Sequence, residues 1–253
     1  MIWSAFVTAV RTLTVVPVPG KDTENHAAAL PFFPVAGAGL GMLLYAIAMG
    51  CAFMFDSAPL VSGLVVTVAA TVLTGCMHVD GFADVADGFG GGRTKERILE
   101  IFRDSHHGTF GMCAVTFDLA AKILLFGWCV ESGNCFLIAL CAMFSRTLMA
   151  WTCVLFPYSR DNGGKAFLFF SGKKSGIALG AVTVSFLAVT FFIVGTVPLV
   201  VAFCVALLPA ELFLIYCMHR IGGITGDCLG AVNEISELTL LAAGYFALRF
   251  TPV

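Results

Sequence analysis

Seven apolar runs divide the chain, at about 35–55, 59–77, 110–130, 135–156, 176–196, 198–218 and 238–253. Each approaches the roughly 20 residues that an α-helix needs to cross a bilayer's hydrocarbon core, and the last is the shortest. The connections between them alternate in character. Those at 56–58, 131–134 and 196–198 are tight turns, whereas 78–109, 157–175 and 219–237 are long and charged. The pattern predicts an all-α fold: a polytopic integral membrane helical bundle of about seven transmembrane helices in a single domain, 1–253. The three long loops form one functional face. The opening stretch "MIWSAFVTAVRTLTVVPVP" lacks a basic leader and meets Arg11 where an apolar core should continue, so it reads as an interfacial or re-entrant segment rather than a cleavable signal.

Composition supports lipid as the solvent. Charged residues make up 12% of the chain, about half the share of a soluble domain, and 59% of residues are hydrophobic. The net charge of −2 gives no basic footprint, and no nucleic-acid partner is expected. Eleven of the fourteen Lys and Arg residues fall on the side of the long loops: Arg11, Lys21, Arg93, Lys95, Arg97, Arg103, Arg160, Lys165, Lys173, Lys174 and Arg220. Lys122 and Arg146 lie within spans, leaving Arg249 for the far side. By the positive-inside rule the long loops face the cytoplasm of a bacterial-type inner membrane. The ten cysteines fall mostly in apolar runs without paired spacing, which fits core packing and excludes a zinc or dithiol motif. Gly37 and Gly41 in the first span have the spacing that lets helix backbones approach closely.

Against this background the stretch "HVDGFADVADGFGGGRTKERILEIFRDS" (78–105) concentrates acids. Asp80, Asp84 and Asp87 are spaced i, i+4, i+7, and would share a face if the second span continues as a helix past Gly75. Stacked like charges repel unless a cation compensates, and carboxylate oxygens suit Mg²⁺, Ca²⁺ or Mn²⁺. Gly81, Gly88 and Gly90 to Gly92 allow the backbone to approach a ligand, with Arg93, Lys95, Arg97 and Arg103 adding positive charge. Together these features suggest a diphosphate held through a divalent metal. "RIGGITGDCLGAVNEISE" (220–237) repeats the chemistry with Gly223, Thr225, Asp227, Glu234 and Glu237 on the same side. Asp227 could alternatively cap a helix, and Glu237 could be merely interfacial. Inside the spans, Lys122 could pair with Asp118 or line a substrate cavity. Arg146 could bind phosphate, and Glu211 could be a satisfied interior acid. His78, and His106 with His107 after Ser105, could donate to phosphate, whereas His26 and His219 have no such setting.

Spacing alone leaves several classes open. The acidic pattern also resembles those of membrane prenyltransferases and CDP-alcohol phosphotransferases, and a transporter could use Asp118, Lys122, Arg146 and Glu211 as an ion pathway. A permeation path, however, needs polar groups through the whole depth. Three segments in order, "ALPFFPVAGAGLG" (29–41), "TGCMHVDGFADVADGFGGGRTKERILEIFRDSHHGTFG" (74–111) and "GGITGDCLGA" (222–231), resemble the cobalamin synthase (adenosylcobinamide-GDP ribazoletransferase) family across nearly the full length. The resemblance implies transfer from adenosylcobinamide-GDP to α-ribazole or its 5′-phosphate, with GMP released and Mg²⁺ as cofactor. It implies attack by the 5′-hydroxyl of the acceptor. It further implies Asp80, Asp84, Asp87 and Asp104 as metal ligands, Asp227 closing the site, and Arg93, Arg103 and Arg146 as clamps on the diphosphate, with Asp87 as the proton acceptor. The chain departs from the family at His106, where many relatives carry Arg, which replaces a fixed cation by a titratable one. A homo-oligomer is left open.

Overall fold

The computed structural model describes residues 2–55, 58–160, 164–170, 175–194 and 197–249. Lys173 and Lys174, and the end of the seventh apolar run beyond 249, lie outside the described residues. Helix α1 (Ile2–Leu13) is followed by a 3₁₀ segment (His26–Phe32) that leads directly into α2 (Phe33–Met54). Then come α3 (Pro59–Leu73), α4 (Met77–Gly91), α5 (Lys95–Ile101), α6 (Thr109–Glu131) and α7 (Phe136–Leu155). A 3₁₀ turn (Lys165–Phe169) precedes α8 (Gly176–Val194), α9 (Val197–Ile221) and α10 (Gly226–Arg249). No strand occurs among the described residues, only an isolated parallel bridge between Tyr158 and Ile224.

Every apolar run lies in a helix, giving a polytopic helical membrane protein. Four segments are long and apolar enough to cross: His26–Met54, Thr109–Glu131, Phe136–Leu155 and Val200–Ile221. Helices α3 and α4 make a fifth only as a broken pair bent by 88°. The seven expected spans are thus fewer by this measure. Helix α8 is short over its described residues, and α10 carries Asp227, Glu234 and Glu237. The outer faces of the spans present Phe53, Leu64, Val68, Phe117, Leu124, Leu208, Leu212 and Ile215, as lipid requires. Glu211 is exposed among them on α9, not satisfied in the interior.

Two departures from the predicted elements shape the functional face. The second span does not continue past Gly75: Gly75 and Cys76 both have φ of 60°, ending α3 before α4 restarts in a new direction. Leu73, at the end of α3, gives its carbonyl to the N–H of Val15, which docks the N-terminal segment there. Residues 226–237, expected in a loop, form the first half of α10 and are mostly buried. At the bundle core α2 lies against α7 so closely that a Cβ on Gly37 or Gly41 would come within 2.6 Å of the carbonyl of Ala142 or Ala139. Here the glycine pair serves packing.

Candidate active site

Helix α4 crosses the start of α10 at a contact made by two glycines. A Cβ on Gly81 would lie 2.9 Å from the Asp227 carbonyl, and one on Gly230 would lie 2.9 Å from that of His78. This crossing places the acids of two distant segments together. Asp80, Asp84 and Asp87 grade from exposed to buried along α4, the Asp84 side chain being 14% exposed. The negative charges of Asp227, Asp80 and Asp87 all bear unfavourably on Asp84, and His107 offsets them. The His107 ring bridges the first two acids, with Nε2 at 3.5 Å from Asp80 Oδ1 and Nδ1 at 3.7 Å from Asp84 Oδ1.

Asp87 serves a different end. Its two oxygens accept from the N–H groups of Gly108 (2.6 Å) and Gly111 (2.9 Å), so it caps the start of α6 and fixes the loop that carries His107. Each oxygen keeps a further lone pair, so these bonds orient the carboxylate without excluding it from a metal. Asp104 is turned away from this group. It accepts from the His106 backbone and pairs with the His106 ring at 2.7 Å, bonds that hold its carboxyl below the usual range. Ser105 and His106 are exposed on the same loop.

Asp227 is met by a residue that the sequence did not single out. Arg160 Nη2 donates to Asp227 Oδ2 at 2.6 Å. Their meeting depends on the bridge between two loops. Ser159 N–H donates to the Ile224 carbonyl and Ile224 N–H to that of Pro157, each at 2.9 Å. Gly223 lies inside this bridge, where a Cβ would come 2.7 Å from the Pro157 carbonyl. Thr225 is fully buried, and its hydroxyl accepts from the Cys228 N–H in the first turn of α10. Both were expected at the substrate, yet they build the wall behind it. The glycines at 90–92 likewise belong to the end of α4 and its contacts with α5 and α6, where a Cβ on Gly92 would lie 2.5 Å from Ile98 and one on Gly90 2.6 Å from Phe110. Arg93 follows the far end of that 15-residue helix, about 20 Å along its axis from Asp80, and Arg103 is exposed beyond α5.

A cavity of about 820 Å³ opens between α1, residues 158–160 and 164–169, and the α4–α10 crossing. Asp80 and Asp227 lie in its wall with Arg160, Lys165, Arg11 and Tyr158. His26, which had no setting in the sequence, lines it too. Arg11 is held by the carbonyls of Val18 and Gly20 and by Asp22. His78 also lines the cavity, 1% exposed, and neither of its ring nitrogens has a hydrogen-bond partner.

Behind the crossing lies a second polar cluster, buried between α6, α7 and α10. Lys122 pairs with Glu234, with Glu237 at 3.0 Å and with Asp118 at 3.6 Å. Arg146 pairs with Glu237 and donates to Ser145 at 2.9 Å. These five charged groups compensate one another's charge at depth, although both Asp118 oxygens and Arg146 Nε lack a hydrogen-bond partner among the described residues. Arg146 and Lys122 are therefore engaged with core acids, while Arg160 and Lys165 line the cavity. Glu237 is buried rather than interfacial. With Glu211 facing outward, the four groups of a supposed ion pathway do not line one path.

The donor set suits a hard divalent cation in kind, since carboxylate oxygens converge from two helices and repel one another around Asp84. Among the described residues no three His, Cys, Asp or Glu side chains close around one point as they stand. That arrangement fits Mg²⁺ better than a self-contained cage, because Mg²⁺ commonly takes one or two carboxylates and completes its shell with water and substrate phosphate.

A family model described as cobalamin-5-phosphate synthase matches residues 5–245. An adenosylcobinamide-GDP ribazoletransferase of Chlorobium phaeovibrioides is 40% identical over 249 residues, covering 95% of this chain and 97% of the relative. The protein of the same name from Chlorobium phaeobacteroides is 35% identical over 250 residues, with 95% and 96% covered. That of Syntrophobacter fumaroxidans is 34% identical over 250 residues, with 96% and 98% covered. No solved structure matches the chain.

Proposed function

The chain belongs to the cobalamin-5-phosphate synthase family, and on that premise we propose that it joins adenosylcobinamide-GDP to α-ribazole or its 5′-phosphate. The products are adenosylcobalamin or its 5′-phosphate, and GMP. The observation that carries the assignment to this site is the meeting of Asp80 with Asp227 and Arg160 on the wall of an 820 Å³ cavity, with Asp84 one turn further along the same helix as Asp80. Prenyl and CDP-alcohol transfer, which share the acidic pattern, are not favoured by the relatives.

Bond bookkeeping corrects one expectation. An acceptor that already carries a 5′-phosphate, and keeps it in the product, has no free 5′-hydroxyl. The attacking group is therefore a secondary hydroxyl of the ribose. It forms a bond to the phosphorus on the cobinamide side of the diphosphate, and the bond from that phosphorus to the bridging oxygen breaks. GMP leaves with the bridging oxygen, and the hydroxyl proton passes to a carboxylate. Asp80, which faces the cavity and is not capping a helix, is the better placed acceptor than Asp87.

Mg²⁺ is part of the proposal. Asp80, Asp84 and Asp227 would hold it, and when bound it would neutralise phosphate charge and orient the reacting phosphorus. Arg160 and Lys165 add fixed positive charge on the donor's side of the cavity. The cytoplasmic orientation follows from the excess of Lys and Arg on the loop side, and a bacterial inner membrane is its natural setting.

Purified protein in detergent, given both substrates and Mg²⁺, is expected to release GMP and form a cobalamin product, and chelation by EDTA should stop both. Absence of product with folded protein and added metal would remove the assignment, and prenyl or lipid diphosphates would be tried next. Arg160→Met should raise KM for adenosylcobinamide-GDP by roughly tenfold or more, because it removes a cation from the donor's cavity and leaves Asp227 unpaired. A KM unchanged in this variant would take Arg160 out of donor binding.

A further inference from the structure

A second cavity, of about 380 Å³, lies between the beginning of α4 and the first turns of α6. Asp80 lines both cavities. On α4 the other lining residues fall on different sides of the helix: Met77, His78 and Gly81 face the larger cavity, Val79 and Ala83 the smaller. At 100° per residue, Asp80 sits on the seam between these two faces. The cavities therefore meet at a carboxylate that the proposed function already places at the reacting phosphorus.

Transfer by in-line displacement needs the entering and leaving groups on opposite sides of that phosphorus. The larger cavity, with Arg160 and Lys165, suits the charged donor. Val79, Ala83, Met112 and Val115 form apolar walls in the smaller one, and among the described residues no Lys or Arg lines it. Its two titratable polar groups other than Cys76 are Asp80 and His107, whose ring stands 3.5 Å from the carboxylate, and Thr116 lines it from α6. At 380 Å³ it falls at the small end of the range of about 300–1,000 Å³ typical of ligand pockets, suited to a nucleoside and far too small for a corrinoid.

Resting on the transfer reading above, we infer that this second cavity is the acceptor subsite. The flat base of α-ribazole lies between Val79, Met112 and Val115, and the ribose reaches the Asp80 and His107 end. His107, brought there by the loop that Asp87 caps, is a positioning residue for the ribose hydroxyl.

The test combines kinetics with a probe independent of turnover. Val115→Trp fills the cavity. It should raise KM for α-ribazole by roughly tenfold, leaving KM for adenosylcobinamide-GDP within about twofold. Phe117→Trp, on the lipid-exposed face of the same helix, should change neither. Cys76 is exposed and lines the cavity, as a thiol within reach of maleimide. In protein with Cys113 and Cys204 replaced by Ser, α-ribazole should slow labelling of Cys76 and GDP should not. This measurement keeps Val115 native, so a folding defect in the Trp variant does not affect it. Protection by GDP instead, or a raised KM for the donor alone, would overturn the assignment and give the cavity to the donor. If α-ribazole neither protects Cys76 nor shows altered KM while the wild type still forms product, the subsite falls and the transfer reading stands. If the wild type forms no product, both fall.

Discussion

Asp84→Asn should lower GMP release by on the order of 10³-fold and leave the fold intact. The change keeps size and shape and removes one negative charge. Asp84 is where that charge matters most, because its partial burial and the negative charges of Asp227, Asp80 and Asp87 all oppose its ionised form, with His107 offsetting them. Such crowding is tolerable in the resting protein and useful when a divalent cation and a diphosphate arrive. The Asn variant loses the attraction for the cation and also the repulsion, so its thermal midpoint in metal-free detergent solution should equal or exceed that of the wild type. A lost rate with an unchanged or raised midpoint identifies a residue held for function. Equal turnover would remove Asp84 from the site, and a clearly lowered midpoint would make its role structural.

Lys122→Met should have the largest effect on stability, about 3–5 kcal/mol, the cost of leaving partners of a buried ion pair uncompensated. Three acids, Asp118, Glu234 and Glu237, surround Lys122 at depth, and Arg146 answers only Glu237. Removing the lysine leaves two carboxylates of α6 and α10 without a cation in a low-dielectric core. Unfolding can be followed with the protein's own thiols: Cys129 and Cys141 are buried beside the core helices and should react with a thiol dye at a lower temperature in the variant. Pairing Lys122→Met with Glu234→Gln should recover part of the loss, since one orphaned charge disappears with its partner. If the single variant unfolds like the wild type yet loses activity, the lysine belongs to substrate handling instead.

Much of the fold could be read in the hydrophobic pattern, because apolar runs in a lipid-solvated chain have one inexpensive outcome. The regular spacing of Asp80, Asp84 and Asp87 also proved to lie within one helix, though not the one that begins at Pro59. What resisted reading depended on partners far along the chain. Residues 226–237 look like a loop because Asp227, Glu234 and Glu237 interrupt their apolar pattern. They are helical and buried because Lys122 and Arg146 arrive from two other helices to neutralise the acids. Arg160 reaches Asp227, 67 positions away, only through the bridge at Ile224. Asp87 reads as one more metal ligand, and spacing gives no sign that it also accepts from the N–H groups of Gly108 and Gly111. The glycines at 90–92 suggest a phosphate cradle by composition, and only their contacts with α5 and α6 reveal a packing role.

Helix α10 is keyed into the protein first by its crossing with α4 at Gly230 and then by the ion pairs of Glu234 and Glu237, one and two turns further in. The depth of Asp227 is therefore referenced to the protein's own interior and not to the surrounding lipid. The outward-facing apolar side chains of α9 can meet a thicker or thinner bilayer while the distance between the two carboxylate-bearing elements stays fixed. The membrane then acts as a solvent for the outside of a catalyst whose working dimensions are set within.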